Sequence, residues 1–394
     1  MATRASSGRR ARGPQQPPPA QEERLYEPLE PAAGAGGGGE AARAEAAGRA
    51  VGAEPLGEDR ALDLALRPRS FAEFIGQSRV VENLALYVEA ARRRSRRGGG
   101  RRAPLDHVLL SGEPGLGKTT LAHLLAREIG AGLRATSGPA IERPGDLAGV
   151  LTNLEYGEVL FIDEIHRLPP AVEEYLYSAM EDFEIDIVLD QGPAARTIKI
   201  DLKPFTLVGA TTREGLLSAP LRSRFGVLEK LEPYPPDDLE RIALRAAGLI
   251  GVPLEPAAAR LIAERARGSP RVANRFVRRL ADVAEVRGRG AITRSIAEQG
   301  LGMLGVDEAG LDAMDRKILG VLCRHGGGPL GLKTIAVAVG ETEGTIEEVY
   351  EPYLIRRGLL VKTPRGRCAT AAAFSHLGFK APRERQPPLP LAGL

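Results

Sequence analysis

Gly112-Glu113-Pro114-Gly115-Leu116-Gly117-Lys118-Thr119 follows the spacing G-x-x-x-x-G-K-[ST]. Each residue type in it has a physical task. The glycines Gly112, Gly115 and Gly117 let the backbone curl so that successive N–H groups face one anion. Lys118 supplies a point charge for the β- and γ-phosphates, and the Thr119 hydroxyl, with Thr120 beside it, is a candidate Mg²⁺ ligand. The flanks agree with this. Residues 107–110 read as a buried strand, and residues 120–129 as a helix whose N-terminus faces the phosphates. Strand, loop and helix together predict a nucleoside-triphosphate site in an α/β domain.

Working outward, residues 159–162 and 206–209 are further apolar runs bounded by polar residues, as suits central strands of a parallel sheet covered on both faces. The first ends in Asp163-Glu164. A strand delivers Asp163 to the carboxyl edge of the sheet, where it can hold Mg²⁺. Glu164 is then placed to orient and deprotonate an attacking water. The second ends in Thr211-Thr212; if it neighbours the Asp163 strand, either hydroxyl can sense the γ-phosphate, and capping of the strand end is an equal reading. His166 either borders this site or packs beside it. Arg222 and Arg224 lie two residues apart in Pro220-Leu221-Arg222-Ser223-Arg224-Phe225, and an arginine at a subunit edge can reach a neighbour's γ-phosphate. Arg271 sits in the first turn of a helix, against the dipole, which hints at an anion opposite it.

The periodicity changes along the chain. Residues 1–59, rich in Ala, Gly, Pro and Arg, cannot bury a core and read as a disordered extension. Residues 60–235 carry the strand–helix alternation. Residues 236–303 are helical throughout, over 241–249, 256–267 and 271–286, with Ser269-Pro270 as cap and first position of the last. Residues 304–380 give three helices, 311–324, 332–339 and 345–356, then two strands around Thr363-Pro364-Arg365-Gly366-Arg367, which is the pattern of a winged helix. Residues 381–394 are a Pro-rich tail. Lys362, Arg365 and Arg367 cluster on the ribbon and suit nucleic-acid phosphates or, equally, a charge-protected sheet edge. Seven arginines between Arg92 and Arg102 read as a solvated loop insertion, with a DNA-binding patch as the alternative.

Composition sets limits on function. The 394 residues carry 54 basic and 51 acidic side chains, net +3, so any nucleic-acid surface must be local. Two distant cysteines, Cys323 and Cys368, argue against a zinc site or a disulfide framework and for a reducing cytoplasm. No apolar run approaches the roughly 18 residues of a membrane span.

Taken in order, the motifs resemble the AAA+ ATPases, and among them most closely the RuvB family of Holliday-junction branch-migration motors. The resemblance rests on residues 112–120, LFIDEIHRL (160–168), AMEDF (179–183), GPAARTIKID (192–201), GATTR (209–213), PLRSRFG (220–226) and TPRGR (363–367), and runs from about residue 60 to residue 378. It implies an αβα AAA+ ATPase domain, a helical lid domain and a C-terminal winged helix. It also implies ATP and Mg²⁺, a homo-hexameric ring on duplex DNA, a RuvA tetramer as partner, and room for a junction resolvase. The family pattern assigns nucleotide contacts to Leu66, Arg67, the phosphate loop through Thr120, Glu181, Asp182, Phe183, Tyr234 and Arg271. It assigns trans-acting roles to Arg222, which is favoured, and Arg224. It assigns DNA contact to Lys362, Arg365 and Arg367, and RuvA docking to a hairpin over residues 185–200. The long N-terminal extension and the Arg-rich insertion depart from the pattern without touching a catalytic motif. A clamp-loader-type AAA+ machine and a nucleotide-gated DNA-binding regulator are the alternatives. The first would not need residues 192–201, and the second would hold one DNA sequence and hydrolyse slowly.

Overall fold

The computed structural model describes residues 65–97, 104–188 and 197–381. The N-terminal extension, Gly192-Pro193 and residues 382–394 lie outside them. Five strands, β1 (Val108–Ser111), β2 (Leu133–Ser137), β3 (Val159–Asp163), β6 (Thr206–Thr211) and β7 (Val227–Lys230), form one sheet in the order β2-β3-β6-β1-β7. Every pairing in it is parallel. The strand of Thr211 therefore does lie beside that of Asp163.

The apolar runs are continuous because the sheet has a core on each face. Val108, Leu110, Val159, Phe161, Val208 and Ala210 enter one cluster, while Leu109, Leu160, Ile162 and Leu207 enter the other, which is the two-residue alternation of a pleated strand. Helices α1 (Ser78–Arg97) and α2 (Lys118–Ile129) cover the first face through Leu84, Val88, Leu121 and Leu125. Helices α3 (Pro144–Thr152) and α4 (Pro170–Glu181) cover the second through Leu147, Leu151, Val172 and Leu176. A separate antiparallel hairpin pairs β4 (Glu184–Val188) with β5 (Thr197–Asp201), Ile185 opposite Ile200. A short helix α5 (Ala219–Ser223) carries Arg222.

Helices α6 (Pro236–Ile250), α7 (Pro256–Arg265), α8 (Pro270–Arg287) and α9 (Arg294–Met303) follow, and their apolar stripes extend the first core. A third core belongs to residues 311–374. There α10 (Ala313–Arg324) starts on a capping box between Asp312 and Asp315, and α11 (Leu332–Val339) follows. The next helical run has three parts: α12 (Glu343–Thr345), a π turn (Ile346–Tyr350) and α13 (Glu351–Arg356). Strands β8 (Leu360–Thr363) and β9 (Gly366–Ala369) make the wing, and α14 (Ala371–Leu377) closes the unit.

Two local expectations need correction. The basic segment after Arg92 is not loop at its start: α1 continues to Arg97, and the Arg92 guanidinium bonds both the carbonyl and the carboxylate of Glu128. Arginine is a good helix former, so a basic run extends a helix readily. Ser269 precedes α8 but its side chain caps nothing; the hydroxyl donates instead to the Gly115 carbonyl at 3.4 Å. Two sheet strands, β2 and β7, were not anticipated, because both lie on sheet edges and show mixed burial.

Candidate functional site

The phosphate loop joins β1 to α2. Gly112, Gly115 and Gly117 all have positive φ, as the curl requires. At Gly115 a β-carbon would stand 2.7 Å from the Ser269 Oγ and 3.1 Å from the Arg271 β-carbon, so α8 presses directly on the loop and only glycine fits. Lys118 is 6% exposed. Its Nζ donates to the carbonyls of Gly112 (2.7 Å) and Glu113 (2.9 Å). Burial depresses its pKa, with Arg271 adding to the effect and Glu164 and Asp163 opposing it.

Across the loop, the Thr119 hydroxyl donates to Asp163 Oδ2 at 3.3 Å. This is a pair of hard oxygens of the kind Mg²⁺ takes, which needs only one or two protein ligands beside substrate phosphates. Thr120 instead lines a cleft on the other side of the loop. Glu164 has left-handed backbone, φ 49° and ψ 44°. Its carboxylate accepts from the Thr212 hydroxyl (3.2 Å) and lies 3.2 Å from His166 Nδ1. Burial, then the neighbouring Asp163 charge, push its pKa above the ordinary carboxylate value. Thr211 is fully buried; its hydroxyl meets His166 Nδ1 at 2.9 Å and accepts from the Arg213 N–H at 3.0 Å. Of the two hydroxyls at the end of β6, Thr212 is thus the one facing the acidic pair. His166 Nδ1 lies between Thr211 and Glu164.

The cleft beside Thr120 is lined by Leu66, Arg67, Phe74, Ile75, Tyr234 and Asn274 among others. Tyr234 is buried and donates to the Leu116 carbonyl at 3.2 Å. Arg245 holds the Leu66 carbonyl at 2.7 Å and so fixes the entering segment. Phe74, Ile75, Arg245 and Asn274 were not foreseen. Their only sequence signal is position in apolar or helical patterns, which core residues share.

A second group forms around Arg224. Its guanidinium lies 4.5 Å above the Tyr177 ring, donates to the Pro220 carbonyl (2.8 Å), and pairs with Glu181 (3.1 Å). Its Nε is buried without a hydrogen-bond partner among the described residues. Phe183 stacks edge-on against Phe205. Glu181 therefore sits with Arg224, and among the described residues no hydrogen bond or ion pair joins Glu181, Asp182 or Phe183 to the phosphate loop. Arg222 is exposed on α5. Among the described residues no hydrogen bond or ion pair joins either arginine to the loop.

At the wing the three cations differ. Arg367 makes a two-point ion pair with buried Glu351, at 2.5 and 3.2 Å. Lys362 pairs with Glu347 at 2.8 Å. Arg365 is exposed at the turn.

The Holliday junction DNA helicase RuvB P-loop domain matches residues 66–231, the RuvB AAA lid domain residues 234–307, and the RuvB C-terminal winged helix domain residues 308–378. The chain belongs to the RuvB family. It is 56% identical over 340 residues to the Holliday junction branch migration complex subunit RuvB of Myxococcus xanthus, covering 86% of this chain and 96% of that one. The solved Thermotoga maritima RuvB Holliday junction branch migration motor aligns at 49% identity with a TM-score of 0.73, covering 81% of this chain and 100% of that one. A single-substitution variant of the same RuvB aligns at 0.74, again at 49% identity, covering 80% and 100%. The αβα AAA+ core, RuvB lid and winged helix are thus the fold of this chain, and its phosphate loop is that of a nucleotide-binding ATPase. Among the described residues no helix is long and apolar enough to cross a membrane.

Proposed function

We propose that this chain is the ATP-hydrolysing subunit of a homo-hexameric ring that drives branch migration of Holliday junctions on duplex DNA, together with a RuvA tetramer. The observation that carries the ring is the separation of charge within one chain. Lys118, Thr119, Asp163, Glu164 and Arg271 form one half of an ATP site, while Arg224 stands in another group, with no hydrogen bond or ion pair to it among the described residues. A second copy completes the site.

In this reading the curled loop N–H groups and Lys118 hold the phosphates, and Arg271 closes over them from α8. The base sits in the cleft of Leu66, Arg67 and Tyr234. Thr119 and Asp163 are the protein oxygens that would hold Mg²⁺, which when bound neutralises phosphate charge. Glu164, oriented by Thr212, takes the proton from water. Arg224 is the better finger than Arg222, because stacking on Tyr177 and the Pro220 carbonyl pre-organise it. Residues 60–235, 236–303 and 304–380 serve as motor, lid and DNA-binding parts, and the β4–β5 hairpin as the RuvA dock.

The test is a synthetic four-way junction with RuvA, ATP and Mg²⁺. Branch migration is expected, and ATP hydrolysis without migration would sink the proposal. Arg224→Ala should lower hydrolysis by about 10³-fold or more with nucleotide binding kept; Arg222→Ala should cost far less.

A further inference from the structure

The helical run of α12, the π turn and α13 occupies the place where a winged helix would offer a helix to the DNA groove. Here it carries Glu343, Glu347, Glu348 and Glu351. Four carboxylates repel a phosphate backbone, so this helix is poorly suited to enter a groove. It is also occupied. Arg213, the residue after Thr212, places Nη2 3.1 Å from Glu347 Oε2 and Nε 2.9 Å from Glu348 Oε1. At the other end of the run Arg356 pairs with Glu113 of the phosphate loop and donates to the Arg267 carbonyl at 3.0 Å.

Glu347 faces two ways. Its Oε2 goes to Arg213, while its Oε1 takes Lys362 at 2.8 Å and lies 3.6 Å from Arg367. One carboxylate thus bridges the end of β6 and the basic wing. The π turn spans Ile346–Tyr350 and includes both Glu347 and Glu348; such turns concentrate at functional positions. On the ATP side, Arg213 is bound to the site through its own backbone, since its N–H donates to Thr211 while Thr212 holds Glu164.

Resting on the motor reading above, we propose that Arg213 and Glu347 are positioning residues that couple the wing to the water-activating carboxylate. Without DNA, Lys362 draws Glu347 toward the wing. Duplex phosphates compete for Lys362, which leaves Glu347 with Arg213 and the more distant Arg367, and the strengthened Arg213 pair fixes Thr211-Thr212 beside His166 and Glu164. The two-state element that coupling needs is Glu347 shared between Arg213 and Lys362, or held by Arg213 without Lys362.

The experiment measures ATP hydrolysis with and without duplex, and duplex affinity, for the full chain and for Glu347→Gln. The coupling predicts a divergence that a purely structural role would not give. Glu347→Gln should bind duplex about two- to fivefold more tightly, because Lys362 is freed, yet its DNA stimulation of hydrolysis should fall by about threefold or more. Arg213→Ala should lose stimulation likewise, and Arg213→Lys, which keeps the ion pair, should recover part of it. A wild-type stimulation ratio in both Glu347→Gln and Arg213→Ala would overturn the coupling and leave the motor reading intact. Absence of DNA-stimulated hydrolysis in the unaltered chain would overturn the motor reading and the coupling with it. Glu347 is half-buried on a surface, so Glu347→Gln is expected to fold; equal melting temperatures check this.

Discussion

The phosphate loop and the wing both present cations, but they hold them in opposite ways. Lys118 rests on two backbone carbonyls, neutral acceptors that an arriving phosphate can outcompete. Arg367 rests on a buried carboxylate in a two-point pair, which a phosphate cannot displace without stranding Glu351. A basic residue near a ligand surface is therefore available or not according to the charge and the burial of its present partner. On this criterion we propose that Lys118 and Arg365 are poised for anions, that Lys362 is exchangeable, and that Arg367 serves first as a structural strut.

The largest effect that would sharpen the contrast is at the loop. Lys118→Ala should reduce hydrolysis by about 10³-fold or more while the fold persists, because only carbonyls lose a partner; steady-state turnover and thermal melting measure the two sides. Next, Arg367→Ala should destabilise the winged helix by about 3 kcal/mol, because buried Glu351 keeps only Lys362 at 3.9 Å, seen in denaturant unfolding. Arg365→Ala should leave stability unchanged, weaken duplex binding severalfold and lower the salt slope by about one. Equal stability for the two wing variants would break the comparison. The smallest effect concerns pH. Glu164 must be ionised to act as base, and its pKa is raised by burial and by Asp163, so activity is lost as pH falls through a value above the usual carboxylate range. The Thr212 hydroxyl opposes that shift. Thr212→Val should therefore move the acid limb of the rate profile to higher pH, and an unmoved limb would detach Thr212 from Glu164.

What the sequence revealed follows from how local each cause is. The central strands were legible because a strand buried on both faces must be apolar at every position. Edge strands β2 and β7 were not, since Leu228 is half exposed and β2 is partly solvated. The phosphate loop and acidic pair were legible because each is a run of contiguous residues. The wing cations looked alike because their distinguishing partners, Glu347 and Glu351, reach them only once the preceding helix docks on the ribbon. Ser269 shows the same limit: a good local cap was diverted by a loop more than 150 residues away, at Gly115. The split between Arg224 and Arg222 likewise depends on Tyr177, which no motif announces.

The left-handed backbone of Glu164 has a consequence for heat resistance. A non-glycine residue there costs roughly 1 kcal/mol, and its carboxylate is crowded against Asp163 in a partly buried place. A screen that rewards survival at high temperature alone would therefore collect Glu164→Gly and Glu164→Asn. Both should melt higher than the parent and hydrolyse nothing, so thermal selection and turnover select opposite residues at this one position.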